Sequence, residues 1–408
     1  MNSKQRMLEA LKGGKPDMVP AAPCYLNLYL ENFMGRYYLE RYRRRIGKQT
    51  RLPIDHDEDT HFRANAFYQA FGIFEETFDW LPVLSRGSSY KWARSHYVER
   101  VDEDYFFADR RNQQRLSFKD SLSIVLSPGM GTHEEGNDLP GYPSAGQKRD
   151  LWDLSGELSS LADVDAAIPI VSTDELTSHG VFELPRQIVE DYGERCFLYT
   201  SVIAPFSNVY YVVGFAGCMM MIYDRPNLLH RIMERKMAQS MEFLKGLAKL
   251  RVHGVWIIET RASADLISPQ HFIEFALPYE QALVNEIKAL GMATILYFCG
   301  DAIPRLELIR SLGVDAIALE ESKKTFQINI KEIVDRVGDV ACIFGNIDAI
   351  KIMAEGTPET IEEEVKRQIH VGKRAHGFIV GIGSPLPPTT NPRNVDAFVR
   401  AVRRYGQL

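Results

Sequence analysis

HGVWIIE (253–259), ATILYF (293–298), DAIALE (315–320), VACIFG (340–345) and GFIVGIG (377–383) decide the fold. Each is a short apolar run that stops at a polar residue or leads straight into one: Glu259, then Cys299, Gly300 and Asp301, then Glu320, Asn346 with Asp348, and Ser384. The stretches between them carry helical periodicity and helix-start signals, such as Ser268-Pro269 and Thr357-Pro358. Apolar runs of this length alternating with helices read as parallel βα units buried on both faces. The expectation is a closed βα barrel, an α/β fold, whose chemistry sits at the carboxyl ends of the strands.

Working outward, Leu161–Ala167, Thr173–Asp191, Asn227–Arg251 and Asn394–Tyr405 read as helices, and CFLYTSV (196–202) as a barrel strand. A short amphipathic helix over 3–13 precedes a first strand near Val19–Cys24, and FDWLPVL (78–84) reads as another strand. Residues 27–77, rich in aromatics and charges, read as mainly helical. From Tyr90 to Phe118 the pattern alternates and turns polar, which reads as an antiparallel excursion from the barrel. Ser127–Gln147 is a long Gly/Pro-rich connection of the kind that serves as a lid or binding loop. The organisation expected is one barrel domain over 1–408 with an elaborated N-terminal half, and 90–150 as an insertion or lid region.

Composition narrows the function classes. With 45% hydrophobic and 25% charged residues, the 408-residue chain is ordinary soluble globular protein. A net charge of -6 gives no electrostatic reason to expect nucleic acid or an anionic membrane as partner. The one dense cationic run, Arg41-Tyr42-Arg43-Arg44-Arg45, reads as a solvated helix face, the alternative being an anion site for a carboxylated or phosphorylated ligand. No secretory leader is evident at the start, and Val209–Tyr223 is too short and Gly-interrupted to span a bilayer. Five scattered cysteines, Cys24, Cys196, Cys218, Cys299 and Cys342, fit reduced thiols of a cytoplasmic protein rather than a disulfide framework. Neither a Gly-x-Gly-x-x-Gly nor a Walker-type loop is present, which disfavours nucleotide cofactors.

The strand-end residues carry the candidate chemistry. Glu259 and Glu320 suit general acid–base work in a water-poor cleft, with Tyr297 as a donor to a leaving oxygen. Glu259, Cys299 and Glu320 also make a conceivable ligand set for zinc; the alternative is that the acids hydrogen-bond substrate while Cys299 stands by. Asn346, Asp348 and Ser384 are candidate substrate contacts, Asp348 also suiting a helix cap. Asp301 reads as a cap of the next helix. His253 precedes its strand and falls at the opposite, stability face of a barrel. Asp55-His56-Asp57-Glu58-Asp59…His61 has the look of a metal cluster, but a solvated acidic loop is the simpler reading.

Ala204-Pro205-Phe206, GFAGCMMMIYDRPNLLHRIMER (214–235), LISPQHFIEFALPYEQALVNEIKALGM (266–292), LYFCGD (296–301), GVDAIALEE (313–321), FGNIDA (344–349), GTPETIEEEV (356–365) and SPLPPTTNPRNVDAFVRAVRRYG (384–406) follow one another in a family order and spacing. Through them the second half resembles the uroporphyrinogen decarboxylase superfamily, and within it the corrinoid-dependent methyltransferase branch. The resemblance implies a (β/α)8 barrel with a deep cleft at the strand ends. It also implies methyl transfer between a small methylated compound and the cobalt of a corrinoid held by a partner protein.

Informative departures accompany the likeness. Zinc-dependent members of that branch carry His-x-Cys where this chain has Tyr297-Phe298-Cys299, and a later Cys where it has Ser384. Decarboxylases place a His in the loop matching Gly383–Pro385. GRYYLERY (35–42) is only superficially similar to the decarboxylases' Gly-Arg-Tyr loop. With the thiol-activating ligand set broken, the resemblance implies demethylation of a methoxylated substrate, aromatic ones included. The alternatives are decarboxylation of a porphyrin-like or other carboxylated substrate, and a barrel that binds a corrinoid or tetrapyrrole without catalysis.

Overall fold

The computed structural model describes residues 1–24, 41–55, 57, 78–83, 94–110, 113, 115–117, 156–387 and 390–407. In chain order its strands are β1 (Arg51–Pro53), β2 (Trp80–Pro82), β3 (His96–Val101), β4 (Asp104–Asp109), β5 (Arg115–Ser117), β6 (Phe197–Ile203), β7 (Gly254–Glu259), β8 (Ala293–Phe298), β9 (Ala316–Leu319), β10 (Cys342–Phe344) and β11 (Gly377–Ile379). Seven of them form one parallel sheet in the order β11-β10-β9-β8-β7-β6-β2.

The gap between β11 and β2 is closed by residues 20–22. The Val380 N–H donates to Pro20 O at 2.8 Å, and the Ala22 N–H donates to Val380 O at 2.9 Å. On the other side the Asp79 N–H donates to Ala21 O at 2.9 Å. Eight segments thus complete the expected barrel. Closure is clamped by charge: the Asp79 carboxylate accepts the Ala21 N–H at 2.8 Å and the Arg6 guanidinium. Arg6 comes from the N-terminal helix Ser3–Leu11, which starts at a capping box between Asn2 and Gln5.

The second sheet, β1-β3-β4-β5, is antiparallel throughout; β3–β5 fall where the alternation over 90–118 predicts, whereas β1 lies within the stretch 27–77 read as mainly helical. Arg43, Arg44 and Arg45 are exposed on a helical turn whose Tyr42 and Ile46 are buried, the solvated face expected of that run. The proposed lid over 127–147, and most of the Asp55–His61 cluster, lie outside the described residues.

Helices form the outer layer where their start signals predict. Ser268 and Thr357 cap Pro-initiated helices through their side chains, and Asn391 does the same for Pro392–Tyr405. Thr173–Asp191 divides into two helices, Thr173–Ser178 and Glu183–Tyr192, at Gly180, whose φ of 71° few other residues adopt. Pro205–Asp224 is, among the described residues, the one helix long and apolar enough to cross a membrane. Gly214 (φ 69°, ψ 177°) breaks it, and 56% of its apolar window is buried within the fold.

Candidate active site

The barrel interior is plugged by aromatics from several strands. Trp80 of β2 stacks on Tyr199 of β6 with ring centroids 4.0 Å apart, and Trp256 of β7 stacks on Tyr297 of β8 at 5.1 Å. Trp256 also meets Phe344 of β10 edge-on at 5.5 Å, a contact only the lumen allows between non-neighbouring strands. These rings set the parity of every strand, because side chains alternate between faces. On β8, Tyr297 and Cys299 face the lumen while Phe298 packs outward against Phe272 of the helical layer. Tyr297 is level with Ala318 of β9, so Glu320 faces the lumen one layer above it, beside Cys299.

Above the plug lies a polar mouth. The Glu320 side chain is 19% exposed, and its carboxylate accepts the Gly300 N–H at 2.7 Å. Gly300 sits at φ 83°, a conformation that favours glycine. Burial raises the Glu320 pKa above the usual carboxylate range, against the lowering effects of that N–H and of Lys323. The Cys299 thiol is pushed up first by burial and then by the neighbouring Glu320 charge, so it is held as a thiol rather than as a nucleophilic thiolate.

Across the mouth, Ser384 donates to Glu321 at 2.7 Å, and Lys323 reaches both Glu321 at 2.6 Å and Ser384 at 3.2 Å. Lys323 also stands 3.9 Å from Glu320. The Tyr297 hydroxyl donates to Gly383 O at 2.8 Å and forms the floor between these two sides. Gly383 approaches so closely that a Cβ there would run into the backbone nitrogen and carboxylate of Glu321.

Glu259 is placed differently. Register pairs Ile258 with Tyr297, so Glu259 has the opposite parity and points out between the barrel and its helices. It is fully buried. One carboxylate oxygen accepts the Ser207 hydroxyl, the Arg261 N–H at 2.7 Å and the Ala262 N–H at 3.0 Å. The other lies within hydrogen-bonding range of Glu280, itself buried on Leu277–Ala289, and neither carboxyl of the pair has another donor at these oxygens. The two acids are coupled. Burial raises both pKa values, and for Glu280 the nearby Glu259 charge adds to the rise, so Glu280 is the partner that keeps a proton.

Among the described residues no three His, Cys, Asp or Glu side chains gather in a group that could hold a metal ion. The conceivable zinc set of Glu259, Cys299 and Glu320 is therefore not assembled. Strand parity is the reason: Cys299 and Glu320 share the lumen, while Glu259 is taken up by Ser207 and backbone donors outside it. The residues present do not fit the metal.

The other sequence candidates have definite places. Asn346 is buried and its side-chain amide donates to Glu320 O and Ile328 O, both at 3.2 Å, while its oxygen accepts from Gln368 at 3.3 Å. It braces the β9 and β10 ends from within. Asp348 caps the helical segment Ala349–Ala354 by accepting the Ile350 and Lys351 N–H groups. Asp301 does not cap through its side chain; its backbone N–H is received by Asp265 at 3.0 Å. His253 lies at the opposite barrel end and accepts the Leu198 N–H at 2.8 Å through Nδ1. A cavity of ≈ 420 Å³ also lies at that end, lined by Met1, Arg6, Phe78, Cys196 and Arg403, far from the polar mouth.

Sequence reading passed over Glu280, Glu321, Lys323 and Arg261. Glu280 left a signal: it interrupts the apolar face Ala276, Leu283, Val284, Ile287 at helical spacing.

This architecture matches known proteins. The model of the uroporphyrinogen decarboxylase (URO-D) family matches residues 154–405, more than half of the chain, and the chain belongs to that family. Among characterised relatives, the methylcobamide:CoM methyltransferase MtbA of Methanosarcina acetivorans is 26% identical over 228 residues, 55% of this chain and 63% of that protein. The uroporphyrinogen decarboxylase of Geobacter sp. (strain M21) is 27% identical over 257 residues, 61% of this chain and 72% of that protein. A solved methyltransferase from Methanosarcina mazei superimposes with a TM-score of 0.62 at 18% identity, covering 99% of both chains, and bears out the fold.

Proposed function

We propose that this protein is a corrinoid-linked methyltransferase that demethylates a small methoxylated compound, aromatic methyl ethers included. The acceptor is the cobalt of a corrinoid carried by a partner protein, and the reaction is cytoplasmic. Relatives named methylcobamide:CoM methyltransferase support the class. The observation that carries the reading is Glu320: a carboxyl at the barrel mouth, partly exposed, with one oxygen fixed by Gly300 and a pKa raised by burial.

A methyl ether resists cleavage because its oxygen would depart as an anion. Protonation of that oxygen as the C–O bond breaks removes the obstacle, which is general acid catalysis. In the balanced step the reduced cobalt of the acceptor supplies an electron pair to the methyl carbon. The C–O pair goes to oxygen, which takes the proton of Glu320 and leaves as an alcohol or phenol. Glu320 regains its proton from solvent at the mouth. Cys299 and the Tyr297–Gly383 floor shape the space beside it, and Ser384 with Lys323 and Glu321 bounds the other side.

Decarboxylation is the second reading, favoured by relatives named uroporphyrinogen decarboxylase. A substrate with several carboxylates needs several free cations, whereas among the described residues of the mouth Lys323 is spent on Glu321 and Arg261 offers a single charge. The test offers the protein a methoxyarene with cob(I)alamin and, separately, uroporphyrinogen. Methylated cobalamin in the first vessel supports methyl transfer; carbon dioxide from the second, with none, replaces it by decarboxylation.

A further inference from the structure

Arg261 lies in the turn after β7, two residues beyond Glu259, and is partly exposed. Its guanidinium lies 4.3 Å from the centre of the Tyr210 ring, and Tyr210 meets Tyr211 edge-on at 5.0 Å. Nη1 donates to the neighbouring Thr260 O at 2.9 Å, but Nε is buried and donates to nothing. Among the described residues no carboxylate forms an ion pair with it, in contrast to Lys323 on the same mouth. The buried Glu259 carboxylate receives the backbone N–H of Arg261 and not its guanidinium.

Arg261 follows the carboxyl end of β7, where the Cys299 N–H donates to Glu259 O at 2.8 Å, so this charge belongs to the barrel mouth. An arginine held against a tyrosine ring keeps its free N–H edge oriented, and that edge matches a carboxylate's two oxygens. A buried donor without an acceptor is uncommon in a folded protein and marks a place where a ligand atom completes the hydrogen bonding.

We propose that Arg261 binds an anionic group of the substrate, so that the compound demethylated is a methoxylated carboxylate. This rests on the reading of the site as a demethylase and adds the substrate class. The carboxylate sits against Arg261, the body of the substrate lies along Tyr210 and Tyr211, and the ether oxygen is turned toward Glu320.

Calorimetric titration with 3-methoxybenzoate and its neutral counterpart 3-methoxybenzamide tests this without requiring turnover, so a failure of the demethylase reading is seen separately. Wild type is expected to bind the carboxylate about 10- to 100-fold tighter than the amide, the worth of a charge-assisted pair. Arg261→Gln removes the preference by weakening carboxylate binding far more than amide binding; Arg261→Lys, which keeps the charge without the fork, retains part of it. Wild type with no preference for the carboxylate, or a preference that survives in Arg261→Gln, overturns the proposal. So does an Arg261→Gln defect confined to cobalamin, whose nucleotide carries a phosphodiester, since the anion then belongs to the methyl acceptor.

Discussion

Tyr297 of β8 and Gly383, in the turn after β11, are joined across the barrel mouth by a 2.8 Å hydrogen bond from the tyrosine hydroxyl to the glycine carbonyl. The bond spans three strand positions, since β9 and β10 lie between. It fixes the floor on which Cys299 and Ser384 stand, and it commits the hydroxyl proton that a substrate would otherwise receive.

Tyr297→Phe therefore separates a floor from an acid. The variant is expected to lose about 1–2 kcal/mol of stability, the cost of leaving a buried carbonyl without its donor. Its kcat is expected to stay within about threefold of wild type, far less than the loss of a general acid causes. Denaturant melts and steady-state kinetics on the same preparation check both.

Glu320→Gln removes the proton and keeps the shape. The expected loss in kcat is about 10²- to 10⁴-fold, with KM little changed. In the proposed mechanism activity needs the protonated carboxyl, so wild-type activity is expected to decline as pH climbs through the raised pKa of Glu320. The variant's residual activity lacks that decline, which a pH–rate profile reads directly.

The coupled pair Glu259 and Glu280 gives a stability signature. A carboxyl whose folded pKa is raised keeps a proton that the unfolded chain gives up. Native stability from this source is complete below the ordinary carboxylate range and falls as pH rises through the raised values. Glu280→Gln imitates the protonated partner at every pH. Thermal melts at pH 5 and pH 8 are expected to show the variant gaining on wild type at pH 8, by roughly 1–3 kcal/mol.

His253 acts in the other direction. Burial, aided by Lys4, lowers its pKa from 6.5 to about 4. Between these values the unfolded chain binds a proton that the folded one declines, so stability is full above pH 6.5 and is lost as pH falls toward 4. The expected loss is roughly 1–2 kcal/mol after allowing for partial solvent access. His253→Asn is expected to flatten that part of the stability curve, measured by urea melts from pH 7 to 4.

The barrel was legible because five apolar runs each end in polar residues, and because Ser268, Thr357 and their prolines punctuate the helices. The inner and outer faces of the strands were not. HGVWIIE is apolar on both faces, as parallel strands are, so nothing within the run assigns Glu259 a side. Only its register against β8, with Ile258 beside Tyr297, turns Glu259 toward the helices and leaves Cys299 and Glu320 in the lumen. Arg261 was invisible for a related reason: a single arginine in a turn reads as surface until a ring and an unused N–H are seen beside it.

In the proposed reaction Glu320 drives methyl transfer from a methoxylated compound to cobalt. A single-turnover reaction of the protein with cob(I)alamin and 3-methoxybenzoate, followed by the visible spectrum of the corrinoid, tests it most directly. Wild type is predicted to convert the corrinoid to its methylated form with matching release of the phenol, and Glu320→Gln to do so at least about 100-fold more slowly. Equal rates in the two proteins, or no methylated corrinoid in either, would contradict the account.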